Sequence, residues 1–321
     1  MSKKKRKHHY LPQFYVGGFA NPEGKVFVLH KEKNTIEEQG KNGTFHIPYF
    51  YSVDFSKYKK RTPERVQKVK NLLGLGEIDT SRVKEYPDMV EDLLGESENY
   101  AAVIIQKLIN GKKISNNERL ELSTFMAIMF TRTPTFRENM NQFHVHMTDL
   151  HIKNIFASKE NAEEIYKKMK EDGYDKEVDI EALVKTTQEG RYKIEIPREM
   201  SVQDMLMIIP MIDQILCQKS WFLLRTSSGF ITTDIPVFLD HPNLYNQGAY
   251  GVGFETPGVK AVFTLSKELL LIMKSTKLGA SLQEEIIEDR NVREINKLIA
   301  LHSRKYIISH NKEVLKDFIK R

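Results

Sequence analysis

The chain has 321 residues, a net charge of +6 and a pI near 9.0, long enough for one large domain or two modest ones with a sizeable core. Hydrophobic residues make up 40% and charged residues 29%, which excludes collagen-like, low-complexity and disulfide-scaffold classes. With a mean hydropathy of −0.46, no apolar run is read as reaching the ~20 residues needed to span a bilayer, and no apolar stretch of signal-peptide type follows the basic start. The expectation is a cytoplasmic protein with no membrane role. The single Cys217 has no internal disulfide partner and is expected in the core.

The charge excess is local. Lys3, Lys4, Lys5, Arg6 and Lys7 form a run of five cations that nearly equals the net charge, so the remainder is close to neutral. Residues 1–7 read as a basic arm suited to polyanions. His8-His9-Tyr-Leu-Pro-Gln-Phe-Tyr15 follows without a linker. Two aromatics, a proline and an amide so close together predict a short ordered element, ended by Gly17-Gly18.

Lys25–Leu29 alternates and is β-branched, which predicts a strand, with a turn at Asn34. Phe45–Tyr51 reads as a second, edge-like extended segment because Pro48 lacks an amide hydrogen. Thr62-Pro63 opens a helix to about Leu73, and Asp88–Leu108 has helical apolar spacing. Ser115-Asn-Asn-Glu118 is a capping box that starts a long helix. Pro134 is expected to break it, with a further helix to about Phe156. Residues 158–190 are charged and read as a helical insertion. Tyr192–Ile196 is expected as a strand, Ser201 as a helix cap, and residues 221–272 as a set of strands. A helix over Leu282–His302 and a strand over Lys305–Ser309 close the chain. The predicted architecture is α+β: a single domain over 8–321, with a β-rich part at 8–60, helices at 61–157, the insertion at 158–190, and sheet plus helices at 191–321.

Walker, dinucleotide-glycine, HExxH, CxxC and GxSxG patterns are all missing from the sequence. The candidates are local constellations. His8, His9 and Gln13 place imidazoles, which titrate near neutrality and bind metals, beside an amide held by Pro12. Glu91 and Glu98 are two helical turns apart on one face, about 10 Å along the axis. Arg132-Thr-Pro-x-x-Arg137 puts two guanidiniums around a helix break, where anions find free amide donors. Asp234 ends a strand ahead of a proline, a position suited to a catalytic or ligating acid and equally to a turn-forming one. His144, His146 and His151 are read as a helical set whose spacing scatters the rings, a poor zinc site.

Taken together, His8–Tyr15 with Phe19-Ala20, Arg132-Thr-Pro-x-x-Arg137, Thr232-Thr-Asp234-x-Pro-Val237, Glu91 and Glu98, and Phe263-Thr-Leu-Ser266 resemble the bacterial family catalogued as domain of unknown function 4238. The resemblance runs over nearly the whole chain in order. It departs from the family pattern at Ile235, where an Asn is usual. The family implies no chemistry.

The leading expectation is a metal-dependent phosphodiesterase of nuclease type, serving as a toxin or phage-defence effector. In it His9, Gln13, Glu98 and Asp234 are catalytic candidates, and His8, His9, Glu98 and Asp234 are candidate ligands of a divalent metal. Arg132, Arg137 and the arm Lys3–Lys7 hold the phosphates, nucleic acid being the candidate partner. Two alternatives stand beside it: a non-enzymatic nucleic-acid- or protein-binding module, and a small-molecule hydrolase or transferase. The oligomeric state is not assigned.

Overall fold

The computed structural model describes residues 7–43, 45–52, 89–242, 251–277 and 279–319. The Lys3–Arg6 part of the arm and the helix expected at Thr62–Leu73 lie outside them. The chain divides into two units, residues 1–136 with 202–321, and residues 137–201.

In the larger unit, β-branched and aromatic runs set the strands. β1 (Lys7–His9) pairs antiparallel with β4 (His46–Pro48). β2 (Lys25–His30) and β3 (Thr35–Gly40) form a hairpin whose turn places Asn34 at φ 55°, a left-handed conformation that asparagine tolerates. β11 (Tyr306–Ser309) joins the other edge of β2, and β6 (Thr232–Thr233) completes a four-stranded sheet of order β3-β2-β11-β6. The second sheet has the order β10-β5-β9-β8-β7, with β5 at Ser220–Arg225, β7 at Val237–Asp240, β8 at Lys260–Ser266, β9 at Leu269–Lys274 and β10 at Leu282–Ile286. Leu29, Ile307, Phe238, Val262 and Leu270 draw both sheets into one core.

Helices follow their caps. α1 (Gln13–Gly17) ends at Gly18. α2 (Met89–Ile109) packs on α3 (Asn116–Thr131), whose N-terminus carries the predicted capping box: the Ser115 hydroxyl accepts from the Glu118 amide, and Glu118 accepts from the Ser115 amide. Such a cap contributes about 0.5–2 kcal/mol. α3 stops at Arg132, and α4 (Pro134–Ile155) starts with the proline as its first residue, so the break falls where expected. The smaller unit's helices, α5 (Lys159–Glu171) and α6 (Ile180–Gln188), pack as a hairpin carrying the charged segment, and α7 (Arg198–Gln218) follows them in the chain. By length and composition alone α7 could cross a membrane, with a mean hydropathy of 1.3; the core helix of a soluble protein passes the same test. α8 (Asp289–Leu301) buries Val292, Asn296, Ile299 and Ala300, one helical stripe, and α9 (Lys312–Lys316) follows β11.

Four expectations are corrected. Residues 282–302 are not one helix. Residues 282–286 form β10, which pairs parallel with β5 so that its backbone groups are satisfied across strands instead of within a helix. Tyr192–Ile196 is irregular rather than a strand, and the Tyr192 hydroxyl bonds to Asp149 instead. Ser201 does not cap: α7 begins earlier, and its hydroxyl donates to the Arg198 carbonyl at 2.9 Å. Cys217 is only partly buried.

Candidate active site

β1 alternates, so His8 and His9 point to opposite faces. His8 faces inward and is fully buried. Its Nδ1 accepts the Tyr51 amide hydrogen at 3.0 Å, and its ring stacks on Tyr51 at 5.8 Å. A neutral imidazole accepting at Nδ1 carries its proton on Nε2, which leaves no lone pair for a metal. In this form His8 ties β1 to the Tyr51 segment.

His9 faces the other way and meets His46, its register partner on β4. The neighbouring pair Tyr10 and Phe45 is hydrogen-bonded, with the Tyr10 amide donating to the Phe45 carbonyl at 3.0 Å. Hydrogen-bonded and open pairs alternate in an antiparallel ladder, so His9 and His46 form an open pair, whose side chains approach most closely. Their ring centres are 5.6 Å apart, at 76°. The Gln13 side-chain amide lies 3.3 Å from His9 Nε2, one helical turn along the chain. Burial, then His46, then Arg132 pull the His9 pKa below its ordinary value, so its ring is neutral at pH 7. His46 Nδ1 is buried and has no hydrogen-bond partner among the described residues.

Arg132 sits behind His9. Its side chain is wholly buried; one amino group donates to Glu98 Oε1 at 2.7 Å and the other to the His9 carbonyl at 2.5 Å. Its Nε lies 3.4 Å from the Tyr51 hydroxyl, which donates back to the Arg132 carbonyl at 2.9 Å. Burial alone would lower its pKa, but Tyr51 and Glu98 outweigh it and the guanidinium stays charged. Its side chain has no exposed surface, and its guanidinium is engaged by Glu98, the His9 carbonyl and Tyr51.

Asp234 is also turned inward. Its two carboxylate oxygens accept the amides of Arg304 at 3.0 Å and Lys305 at 2.9 Å, fixing the entry to β11. Burial raises its pKa, and its charge in turn raises that of Tyr10, the residue after His9. Both oxygens being held by the backbone, Asp234 is a poor metal ligand as it stands. Tyr15 completes the network: its buried hydroxyl lies 2.6 Å from Thr232 Oγ1 and donates to the Thr264 carbonyl at 2.8 Å.

The structure thus brings His9, Gln13, Glu98 and Arg132 into one contact network, with Asp234 next to it through Tyr10. Arg137 belongs to the smaller unit. Lys7 is exposed at the start of β1. Among the described residues, no three His, Cys, Asp or Glu side chains cluster as a metal site. Sequence reasoning missed His46 and Tyr51. Both lie in the segment read as extended, and pairing it with the short segment at residues 7–9 would have exposed His46.

Residues 7–313 match the family described as protein of unknown function (DUF4238). The chain belongs to this family. No curated protein and no solved structure matches it. In this DUF4238 protein the three sequence motifs meet physically: the opening motif contacts Arg132 through the His9 carbonyl and Thr232 through Tyr15.

Proposed function

We propose that the protein is a phosphodiesterase of nuclease type, with its reaction centre at His9, His46 and Gln13. The observation that carries this reading is the facing imidazole pair, His9 and His46, held rigidly across two strands. Phosphoryl transfer needs a base for the attacking oxygen and an acid for the leaving one, and two imidazoles supply both near neutral pH. The neutral His9 ring takes the proton of the nucleophile, and His46 donates to the leaving oxygen. Gln13 orients His9. Burial, then His46 and Arg132, keep His9 unprotonated, and the Arg132 guanidinium holds the His9 carbonyl in place. A divalent ion that accepts nitrogen ligands would be held by His9 and His46, and would add Lewis acidity at the phosphate. The basic arm, with Lys7 at the strand's start, supplies salt-dependent attraction for nucleic acid.

The test is cleavage of labelled single- and double-stranded RNA and DNA, with and without Mg²⁺, Mn²⁺, Zn²⁺ or chelator. His9→Ala and His46→Ala are expected to lose at least about a hundredfold in rate while keeping binding and the far-UV spectrum. Cleavage unchanged in His9→Ala would refute the assignment. A second reading, a non-catalytic binding module, rests on a specific observation: His8, Arg132 and Asp234 are all engaged with backbone groups. It predicts binding without cleavage and a role for His9 through stability alone.

A further inference from the structure

Lys219, in the turn between α7 and β5, is buried, with 4% exposure. An ammonium group has three donors to satisfy. Among the described residues, Lys219 Nζ has one hydrogen-bond partner, the Ser275 hydroxyl at 3.2 Å. Ser275 itself is exposed, one residue beyond β9. The register explains the encounter. Ser220 faces Lys274 across the β5–β9 ladder, so the next residues outward are Lys219 and Ser275. The turn that follows Ser275 is pinned: Ser220 Oγ lies 2.5 Å from both Thr276 Oγ1 and the Gly279 carbonyl. Gly279 takes φ 62°, and its amide donates to the Thr276 carbonyl at 3.2 Å.

We propose that Ser275 is a nucleophile and Lys219 its general base, a serine–lysine dyad that takes acyl groups from carboxylic esters. The arrangement separates the two roles as such chemistry requires, with the hydroxyl at the surface and the lysine beneath it. Burial pushes the Lys219 pKa down, and the Glu255 carboxylate, which favours the charged amine, offsets only part of that. The uncharged amine has the lone pair needed to receive the hydroxyl proton. In the first step Ser275 Oγ attacks the ester carbonyl carbon, its proton passes to Lys219, and the carbonyl electron pair moves to oxygen. The tetrahedral species collapses, the bond to the leaving alcohol breaks, and the alcohol takes the proton from Lys219. Water then repeats the sequence on the acyl-serine, and the acid is released. This centre shares no residue with the His9–His46 site, so either can fail without the other.

The test uses the full chain with p-nitrophenyl acetate. The expected result is a burst of p-nitrophenolate and an acetyl group on the peptide containing Ser275, found by mass spectrometry. Ser275→Ala, a surface change that leaves the core intact, is expected to abolish the burst, and Ser275→Cys to restore it. Lys219→Met is expected to lower the acylation rate at least about a hundredfold and to remove its dependence on an amine titration. Equal labelling in Ser275→Ala, acetyl found on Lys219 instead, or no acylation at all would each overturn the proposal.

Discussion

Replacing Arg132 by methionine separates two accounts of this residue most sharply. The side chain is wholly buried and holds Glu98, the His9 carbonyl and Tyr51 at once. Removing it leaves the Glu98 carboxylate without its cation; breaking a buried pair in this way costs about 3–5 kcal/mol. Glu98 is 23% exposed, so water offsets part of that, and about 2–3 kcal/mol is the better figure. The charge-assisted bond to the His9 carbonyl adds about 1.5–3 kcal/mol. The variant is thus expected to lose about 3.5–6 kcal/mol, a large share of the ~5–15 kcal/mol that a folded protein has in all. Urea unfolding followed by tryptophan fluorescence reads this directly, since the chain's one tryptophan, Trp221, is buried. A double-mutant cycle with Glu98→Leu should show that the second change costs little once Arg132 is gone, a coupling of about 1–3 kcal/mol. Additive effects, or an Arg132→Met protein of unchanged stability that has lost only phosphate binding, would refute the reasoning.

Other expectations follow from single contacts. Gly229→Ala places a Cβ 2.1 Å from His310 Cε1 at φ 94°, so a loss of at least about 2 kcal/mol is expected by thermal or urea unfolding, eased but not removed by adding His310→Ala. Asp234→Asn keeps one acceptor for two backbone amides, Arg304 and Lys305, and should cost about 1–3 kcal/mol, read as a lower urea midpoint with an unchanged m-value. The pKa values of His9, His302 and His310 are all lowered by burial, so between their folded values and the unfolded 6.5 the unfolded chain binds more protons. Stability is therefore expected to hold above about pH 6.5 and to fall as the pH drops through that value, checked by urea midpoints at pH 7.5 and 5.5.

Much of the fold was legible where the local signal and the tertiary demand agree. Ser115 with Glu118, Pro134, and the β-branched run at Lys25–Leu29 each name their own structure. The misreadings come where a partner decides. Residues 282–286 carry a pattern compatible with a helix and become a strand only because β5 offers an edge. The candidate site divides in the same way. Residue type and spacing picked out His9, Gln13, Glu98, Arg132 and Asp234, but not the direction in which each side chain turns. A sequence does not show that a guanidinium is closed off by a carboxylate 34 positions away, or that a carboxylate is held by two amides 70 and 71 positions on. His46 was overlooked because its importance rests on the register of a three-residue pairing.

The Tyr15 hydroxyl has its partners 217 and 249 positions downstream, at Thr232 and Thr264. The β2–β3 hairpin likewise waits for β11, near the other end of the chain. During synthesis at ~5–20 residues per second, a gap of 249 positions amounts to about 12–50 s in which the Tyr15 hydroxyl lacks its Thr264 partner. A ribosome-bound fragment therefore carries the opening motif before the strands that complete its surroundings have been made.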